Sequence, residues 1–139
     1  MLFPDTYAAE TPARAAAILV ETGQELSYAD LADRSVRLAN TLREAGLRPG
    51  DVLALLTENN LRAFEVYWAA MRSGLYLTPV NRSLTADETA YIVNDSGAGA
   101  IVVSGATPEL AKVARAVADL TPKVRLRLAY DGTVPGHDS

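Results

Sequence analysis

Apolar and polar positions change period several times along the chain, and each change marks an element. Ile18-Leu-Val-Glu-Thr22 and Glu25-Leu-Ser27 flank Gly23-Gln24, a pair suited to a two-residue turn with positive φ at its first position, which predicts a small antiparallel hairpin. Ser27 stands three residues before Asp30, a helix-opening pattern in which the hydroxyl accepts a free amide bond and the acid faces the helix dipole. The helix is expected from about Tyr28 to Ala45. Leu31, Ser35, Leu38, Leu42 and Ala45 form its inward stripe, and Asp30/Arg34 and Asp33/Arg37 make outward acid-before-base pairs at i,i+4. Gly46 ends it.

Leu47-Arg-Pro-Gly-Asp51 reads as a turn into the almost wholly apolar Val52-Leu-Ala-Leu-Leu-Thr57, a run that fits a strand buried on both faces of a parallel sheet. Asn59 or Asn60 can cap the next helix, where Leu61, Phe64, Trp68 and Met71 recur on one face up to Gly74. Leu75-Tyr-Leu-Thr-Pro79 is a second strand, with proline at its exit because proline cannot donate to the ladder. Thr85-Ala-Asp-Glu88 is a capping box, and Gly97 suits a left-handed stop to the helix that follows. Ala100-Ile-Val-Val-Ser104 is a third buried strand. Thr107 and Pro108 suit cap and first helical residue, with Leu110, Val113, Ala114 and Val117 on the apolar stripe of a helix reaching Leu120. Val124-Arg-Leu-Arg-Leu128 alternates strictly and reads as a strand with one wet face. Residues 132–139 are mostly Gly, Pro and polar and are expected as a flexible tail after a structural unit spanning 1–131. The order is a hairpin, then helix and strand alternating, then a last strand. It predicts an α/β fold: a mostly parallel sheet with helices on both faces, preceded by a small N-terminal β-hairpin.

Composition narrows the function classes. With 139 residues there is room for one domain. Lys+Arg 13 against Asp+Glu 17 gives a net charge of −4, which argues against gripping a nucleic-acid backbone. Cysteine is absent, so disulfides, thiol catalysis and thiolate metal ligands are excluded, and a single histidine, His137, leaves little for zinc. The apolar run Ala15 to Val20 is short and preceded by Asp5 and Glu10, so neither a signal peptide nor a transmembrane segment is expected, and the expected location is cytoplasmic.

In open α/β sheets ligands gather at the carboxyl ends of strands, here the loops after Thr57, Val80 and Ser104. Ser104-Gly-Ala-Thr-Pro108 joins a strand to a helix N-terminus and could hold an anion, but it has one Gly and no Lys, and plain capping is the commoner use. Gly97-Ala-Gly99 leads from helix into strand, the reverse of a dinucleotide fingerprint. Thr57-Glu-Asn-Asn60 could meet a ribose or hold a loop shut, while capping and turn formation are commoner. Asp87 and Glu88 read as dipole-compensating charges in a first turn. Phe64, Tyr67, Trp68 and Tyr76 could line an acyl pocket, but at helical spacing beside a buried strand they are expected in the core. Lys123, Arg125 and Arg127 could make a phosphate-binding face, or protect an exposed sheet edge. His137 has no acid placed to orient it as a base. From these residues no catalytic, cofactor-binding or metal-binding set is assigned.

The order of several motifs carries more. Leu26-Ser-Tyr-Ala-Asp-Leu31, the Arg/Leu/Ala helix, Gly46-Leu-Arg-Pro-Gly-Asp-Val52 and Leu55-Leu-Thr-Glu-Asn59 together resemble the opening of an adenylate-forming, AMP-binding enzyme. Glu65-Val-Tyr-Trp-Ala-Ala-Met-Arg-Ser-Gly-Leu-Tyr-Leu-Thr-Pro-Val-Asn81, Leu84-Thr-Ala-Asp-Glu88 and Tyr91-Ile-Val-Asn-Asp95 resemble the fatty-acyl-CoA synthetase branch. The similarity runs from about Tyr7 to Asp131. One departure is Asn81-Arg82, where the family often has Asn-Pro.

This resemblance implies part of the large N-terminal domain of a long-chain fatty-acid–CoA ligase. Such enzymes activate a carboxylate with ATP and magnesium to an acyl adenylate and pass the acyl group to coenzyme A. The family's Ser/Thr/Gly-rich phosphate loop lies downstream of the matched region, and the two lysines here, Lys112 and Lys123, stand in no Gly-rich loop. The expected role is therefore a scaffold, inactive alone, with no cofactor of its own. ATP, Mg and CoA are implied for the parent, whose remainder is the expected partner, and self-association into a homo-oligomer is also expected. The alternative is a free-standing, non-catalytic α/β binding or oligomerisation module.

Overall fold

The computed structural model describes residues 3–139. Its elements are α1 (Pro4–Glu10), β1 (Ala15–Leu19), β2 (Gln24–Ser27), α2 (Tyr28–Glu44), β3 (Val52–Leu56), α3 (Arg62–Ser73), β4 (Tyr76–Val80), α4 (Ala86–Asp95), β5 (Ala100–Ser104), α5 (Pro108–Leu120) and β6 (Leu126–Tyr130). β1 and β2 form an antiparallel hairpin, and a separate parallel sheet has the order β4-β3-β5-β6. This is the expected α/β class with its N-terminal hairpin.

Local chemistry explains most boundaries. Ser27 Oγ accepts from the Asp30 amide at 3.1 Å and opens α2. Thr85 and Glu88 satisfy each other's backbone amides in a full capping box on α4. Thr107 Oγ1 accepts from the Leu110 amide at 3.2 Å, with Pro108 first in α5. Gly74 closes α3 at φ +68°, where its missing side chain costs nothing.

The strands alternate their side chains between two cores. Leu53, Leu55, Ala100, Val102, Leu128 and Tyr130 face one layer with Leu42 of α2 and Val66, Ala69 and Ala70 of α3. Ala54, Leu56, Ile101, Val103 and Ala129 face the other with Val93 of α4 and Leu110, Ala114 and Val117 of α5. β3 and β5 are thus covered on both sides, as their unbroken apolar runs require.

Several elements differ from expectation. β1 runs Ala15–Leu19 and does not reach Thr22, and Leu19 pairs with Gln24, so residues 20–23 make a four-residue turn in place of the expected two-residue one at Gly23-Gln24. α1 has no counterpart in the sequence reading; it opens with Pro4 at its first position and Asp5 in its first turn. α3 is not capped by an asparagine: its N-cap is Leu61 in helical conformation, and Asn60 Oδ1 instead accepts from the Arg62 amide at 2.8 Å. The buried residues of α3 are Glu65, Val66, Ala69 and Ala70, while Phe64 and Tyr67 are exposed. Small residues let α3 approach α2 and the sheet closely, and the bulky aromatics turn outward. β4 begins at Tyr76, and β6 runs Leu126–Tyr130, two residues beyond the expected Val124–Leu128. Residues 132–139, where a flexible tail is expected, are docked against β6. The Ala129 amide donates to Asp138 O at 2.7 Å, the Asp138 amide donates to Arg127 O at 2.8 Å, and Val134 is 3% exposed.

β3 lies inside the sheet, its following strand β4 on one side and β5 on the other. The chain reverses its direction of progress there, so the carboxyl ends of β3 and β5 form the crevice where such folds place ligands.

Candidate functional site

Three strand exits converge at that end of the sheet: Thr57-Glu58-Asn59-Asn60 after β3, Gly105 after β5, and Asp131-Gly132 after β6. Parallel register sets Ser104 beside Tyr130, and the Gly105 amide donates to Tyr130 O at 2.8 Å. The two glycines touch. A Cβ on Gly132 would lie 2.2 Å from Gly105 O, and one on Gly105 would lie 2.8 Å from the Gly132 carbonyl carbon. No larger residue fits this contact.

Side chains tie the exits together. Asn60 Nδ2 donates to Glu58 Oε1 at 2.8 Å and to Asp131 Oδ2 at 2.7 Å. The Tyr130 hydroxyl donates to Thr57 Oγ1. Arg62 reaches Asp131 at 3.4 Å, and its guanidinium lies 5.3 Å over the Tyr130 ring. Burial, partly countered by the Thr57 hydrogen bond, pushes the Tyr130 phenol up to about 12, so at neutral pH it is a donor and not a base.

The network continues to Glu65, a carboxylate only 5% exposed. Arg34 of α2 contacts it at 3.2 Å and Arg62 of α3 at 3.2 Å. A buried carboxylate needs such compensation, because stranding it without a partner would cost several kcal/mol. Above this pair lies a cleft of about 500 Å³, floored by Val66, Val102, Leu128 and Tyr130 and rimmed by Arg34, Arg37 and Arg62.

Chemically the arrangement is a clamp. Each named donor is engaged by a neighbouring carboxylate, hydroxyl or carbonyl, which orients the loops and leaves these guanidinium groups neutralised in place. The guanidinium groups of Arg34 and Arg62 are paired with Glu65 and Asp131, and among the described residues no three His, Cys, Asp or Glu side chains gather.

The other residues singled out by sequence are placed as follows. Ser104 Oγ accepts from the Ala106 amide at 3.2 Å, so the loop to α5 caps itself. Gly99 sits under Arg125, whose Nη2 would stand 2.9 Å from an added Cβ, and serves backbone packing. Asp87 and Glu88 lie in the first turn of α4. The aromatic group is not core as expected: Phe64, Tyr67 and Tyr76 are 45%, 41% and 68% exposed, and Trp68 is half-buried edge-on to Phe3 at 5.6 Å. Arg125 binds Gly46 O and Asp51, while Arg127 binds Thr121 O, so the alternating cations of β6 do not form one phosphate-binding face. His137 Nδ1 donates to Pro135 O at 3.2 Å. The sequence reading missed Arg62, Glu65, Tyr130 and Asp131. A charged Glu65 beside Val66 on an otherwise apolar helix face was the available signal.

Comparison with known proteins places these features. A family model described as AMP-binding enzyme matches residues 5–137. A fatty acid–[acyl-carrier-protein] ligase of Streptomyces coeruleorubidus is 42% identical over 81 residues, 58% of this chain and 15% of that protein. A feruloyl-CoA synthase of an Amycolatopsis species is 40% identical over 96 residues, 69% of this chain and 19% of that protein. Among solved structures, one described as a long-chain-fatty-acid CoA ligase from Rhodopseudomonas palustris CGA009 superposes with TM-score 0.81 and 29% identity, covering 97% of this chain and 33% of the other. A Mycobacterium tuberculosis fatty acyl CoA synthetase gives TM-score 0.76 and 26% identity, over 93% of this chain and 26% of the other. The chain therefore spans less than a fifth of those two relatives and at most a third of those two structures.

Proposed function

Because the chain belongs to the AMP-binding, adenylate-forming enzyme family, we propose that its 139 residues are the N-terminal scaffold of a long-chain fatty-acid–CoA ligase. In the parent reaction a fatty carboxylate oxygen attacks the α-phosphorus of ATP, pyrophosphate leaves, and the CoA thiol then displaces AMP from the acyl carbon. Magnesium belongs to that reaction, and none of its steps is assigned to a residue of this segment. The observation that carries the reading is the family match across residues 5–137. Likeness to fatty acyl-CoA ligases of known structure supports a fatty substrate, although the sequence relatives include a feruloyl enzyme and a carrier-protein ligase.

On this reading the segment alone does not catalyse. The physical support is that adenylyl transfer is driven by cations held against developing charge, whereas Arg34, Arg62 and Arg125 are committed to carboxylates and a carbonyl, and the lysines, Lys112 in α5 and Lys123 before β6, stand in no Gly-rich loop. The segment works in the cytoplasm; among the described residues no helix is long and apolar enough to cross a membrane. Its partner is the remainder of the ligase chain. Exposed Phe64, Tyr67 and Tyr76 favour association of the isolated piece, so sedimentation is expected to show dimers or larger species, and a clean monomer at high concentration contradicts that expectation.

The test is fatty-acyl-CoA formation by the purified chain beside calorimetry with ATP. No turnover and no tight nucleotide binding are expected. Measurable synthesis of acyl-CoA overturns the reading. The reading frame beyond codon 139 separates it from the free-standing module: a Ser/Thr/Gly-rich loop ending Pro-Lys-Gly supports the ligase, and a stop supports the module.

A further inference from the structure

The segment after β6 does more than end the sheet. It turns back at Gly132, buries Val134 to 3% exposure in the α4/α5 core layer, and lays Asp138 alongside β6 as a one-residue parallel bridge. Between those two anchors stands His137. Its Nδ1 faces the carbonyl oxygen of Pro135 at 3.2 Å. A carbonyl can only accept, so Nδ1 carries the proton and Nε2 is a bare lone pair in the neutral ring. That Nε2 is buried and has no hydrogen-bond partner among the described residues.

We propose that residues 132–138 form a pH-sensitive strap, docked on β6 while His137 is neutral and released when Nε2 takes up a proton. Protonation would create an N–H with nothing to receive it, an unsatisfied buried donor of the kind folded proteins avoid. The surrounding charges set the balance. Arg127 of β6, whose Nη1 is itself buried without a partner, opposes a second cation. Asp138 on the strap favours one. Asp119 of α5 faces Arg127 and offsets part of its charge.

Burial, then Arg127, hold the imidazole below its ordinary 6.5, with the Pro135 hydrogen bond and Asp138 acting the other way. The sign follows. Above pH 6.5 both docked and undocked straps carry a neutral ring and docking is at full strength. As pH falls from there to the lowered value, the undocked strap binds more protons and docking weakens, levelling off below it.

Two amides report docking directly, Ala129, which donates to Asp138 O, and Asp138, which donates to Arg127 O. The experiment measures their hydrogen-exchange protection, corrected for intrinsic rates, between pH 8 and pH 5 in the full chain and in His137→Gln, with β5 amides as the internal standard. The expected result is a several-fold loss of protection at both amides on acidification, with β5 unchanged, and no such pH dependence in His137→Gln. An equal pH-dependent loss in His137→Gln overturns the proposal, as does undiminished protection in the unsubstituted chain at pH 5. If the glutamine variant leaves the strap undocked at every pH, the imidazole titration of the unsubstituted chain decides. Coincidence of its midpoint with the loss of Ala129 protection supports the strap, and titration without that loss refutes it.

Discussion

Asn60 and Asp131 lie 71 positions apart and meet through a 2.7 Å hydrogen bond that joins the exit of β3 to the exit of β6. The bond crosses β5, the strand between them in the sheet. The loops at the carboxyl edge are therefore held by side chains as well as by the strand ladder. Asn60→Ala and Asp131→Ala should each cost about 1 kcal/mol. A double-mutant cycle by urea denaturation should return a coupling energy of similar size, and strict additivity would show that the contact carries no energy.

The glycine contact beneath that clamp is less forgiving. A Cβ on Gly132 would sit 2.2 Å from the Gly105 carbonyl oxygen, and both partners are backbone, so relief requires the two loops to separate. Gly132→Ala should lose at least about 2 kcal/mol of unfolding free energy, read as a lowered denaturation midpoint. Gly136→Ala is the control for a left-handed glycine without a close neighbour, since nothing lies within 4 Å of its added Cβ.

Sequence made legible those elements whose signals are local. Thr85 and Glu88, Ser27 and Asp30, and Thr107 with Pro108 announce helix starts through bonds within one turn, and the structure has each. Ala100-Ile-Val-Val-Ser104 reads as a buried strand because both its faces are covered. What depends on distant partners was not legible. Phe64 and Trp68 match the helical period of α3 as well as Val66, Ala69 and Ala70 do, and the choice of face is made by the close approach of α2. The ends of β6 depend on pairing with β5, which shifts the strand to finish at Tyr130. The clamp was glimpsed only as Thr57-Glu-Asn-Asn60 holding a loop shut; Asp131, its other half, has no signal near it in sequence.

Tyr130 gives a pH signature of the same region. Its phenol is raised from 10.0 to about 12, chiefly by burial. A raised folded value means its contribution to stability is full below pH 10 and is lost as pH climbs from 10 towards 12. Absorbance at 295 nm should show one of the six tyrosines ionising last, near the alkaline transition. Tyr130→Phe should remove that step and flatten the alkaline loss of stability.

Asp5 and Arg72 pin α1 to α3 through two hydrogen bonds. The Arg72 hydrogen bond, more than its charge at a distance, holds the Asp5 carboxyl below its ordinary 3.8. This contribution is present above pH 3.8 and lost as pH falls through the lowered value. The Asp5 side chain is 52% exposed, so Asp5→Asn should cost less than about 1 kcal/mol and less still in high salt. Tryptophan emission from Trp68, which packs on Phe3, reports the release of α1.

The central claim is that this segment holds the shape of a carboxylate-activating ligase without its chemistry. The direct measurement is fatty-acid-dependent exchange of labelled pyrophosphate into ATP by the purified 139-residue chain with magnesium present. Exchange no faster than in the protein-free blank is the predicted result. Exchange that rises with protein concentration and disappears on denaturation would contradict it.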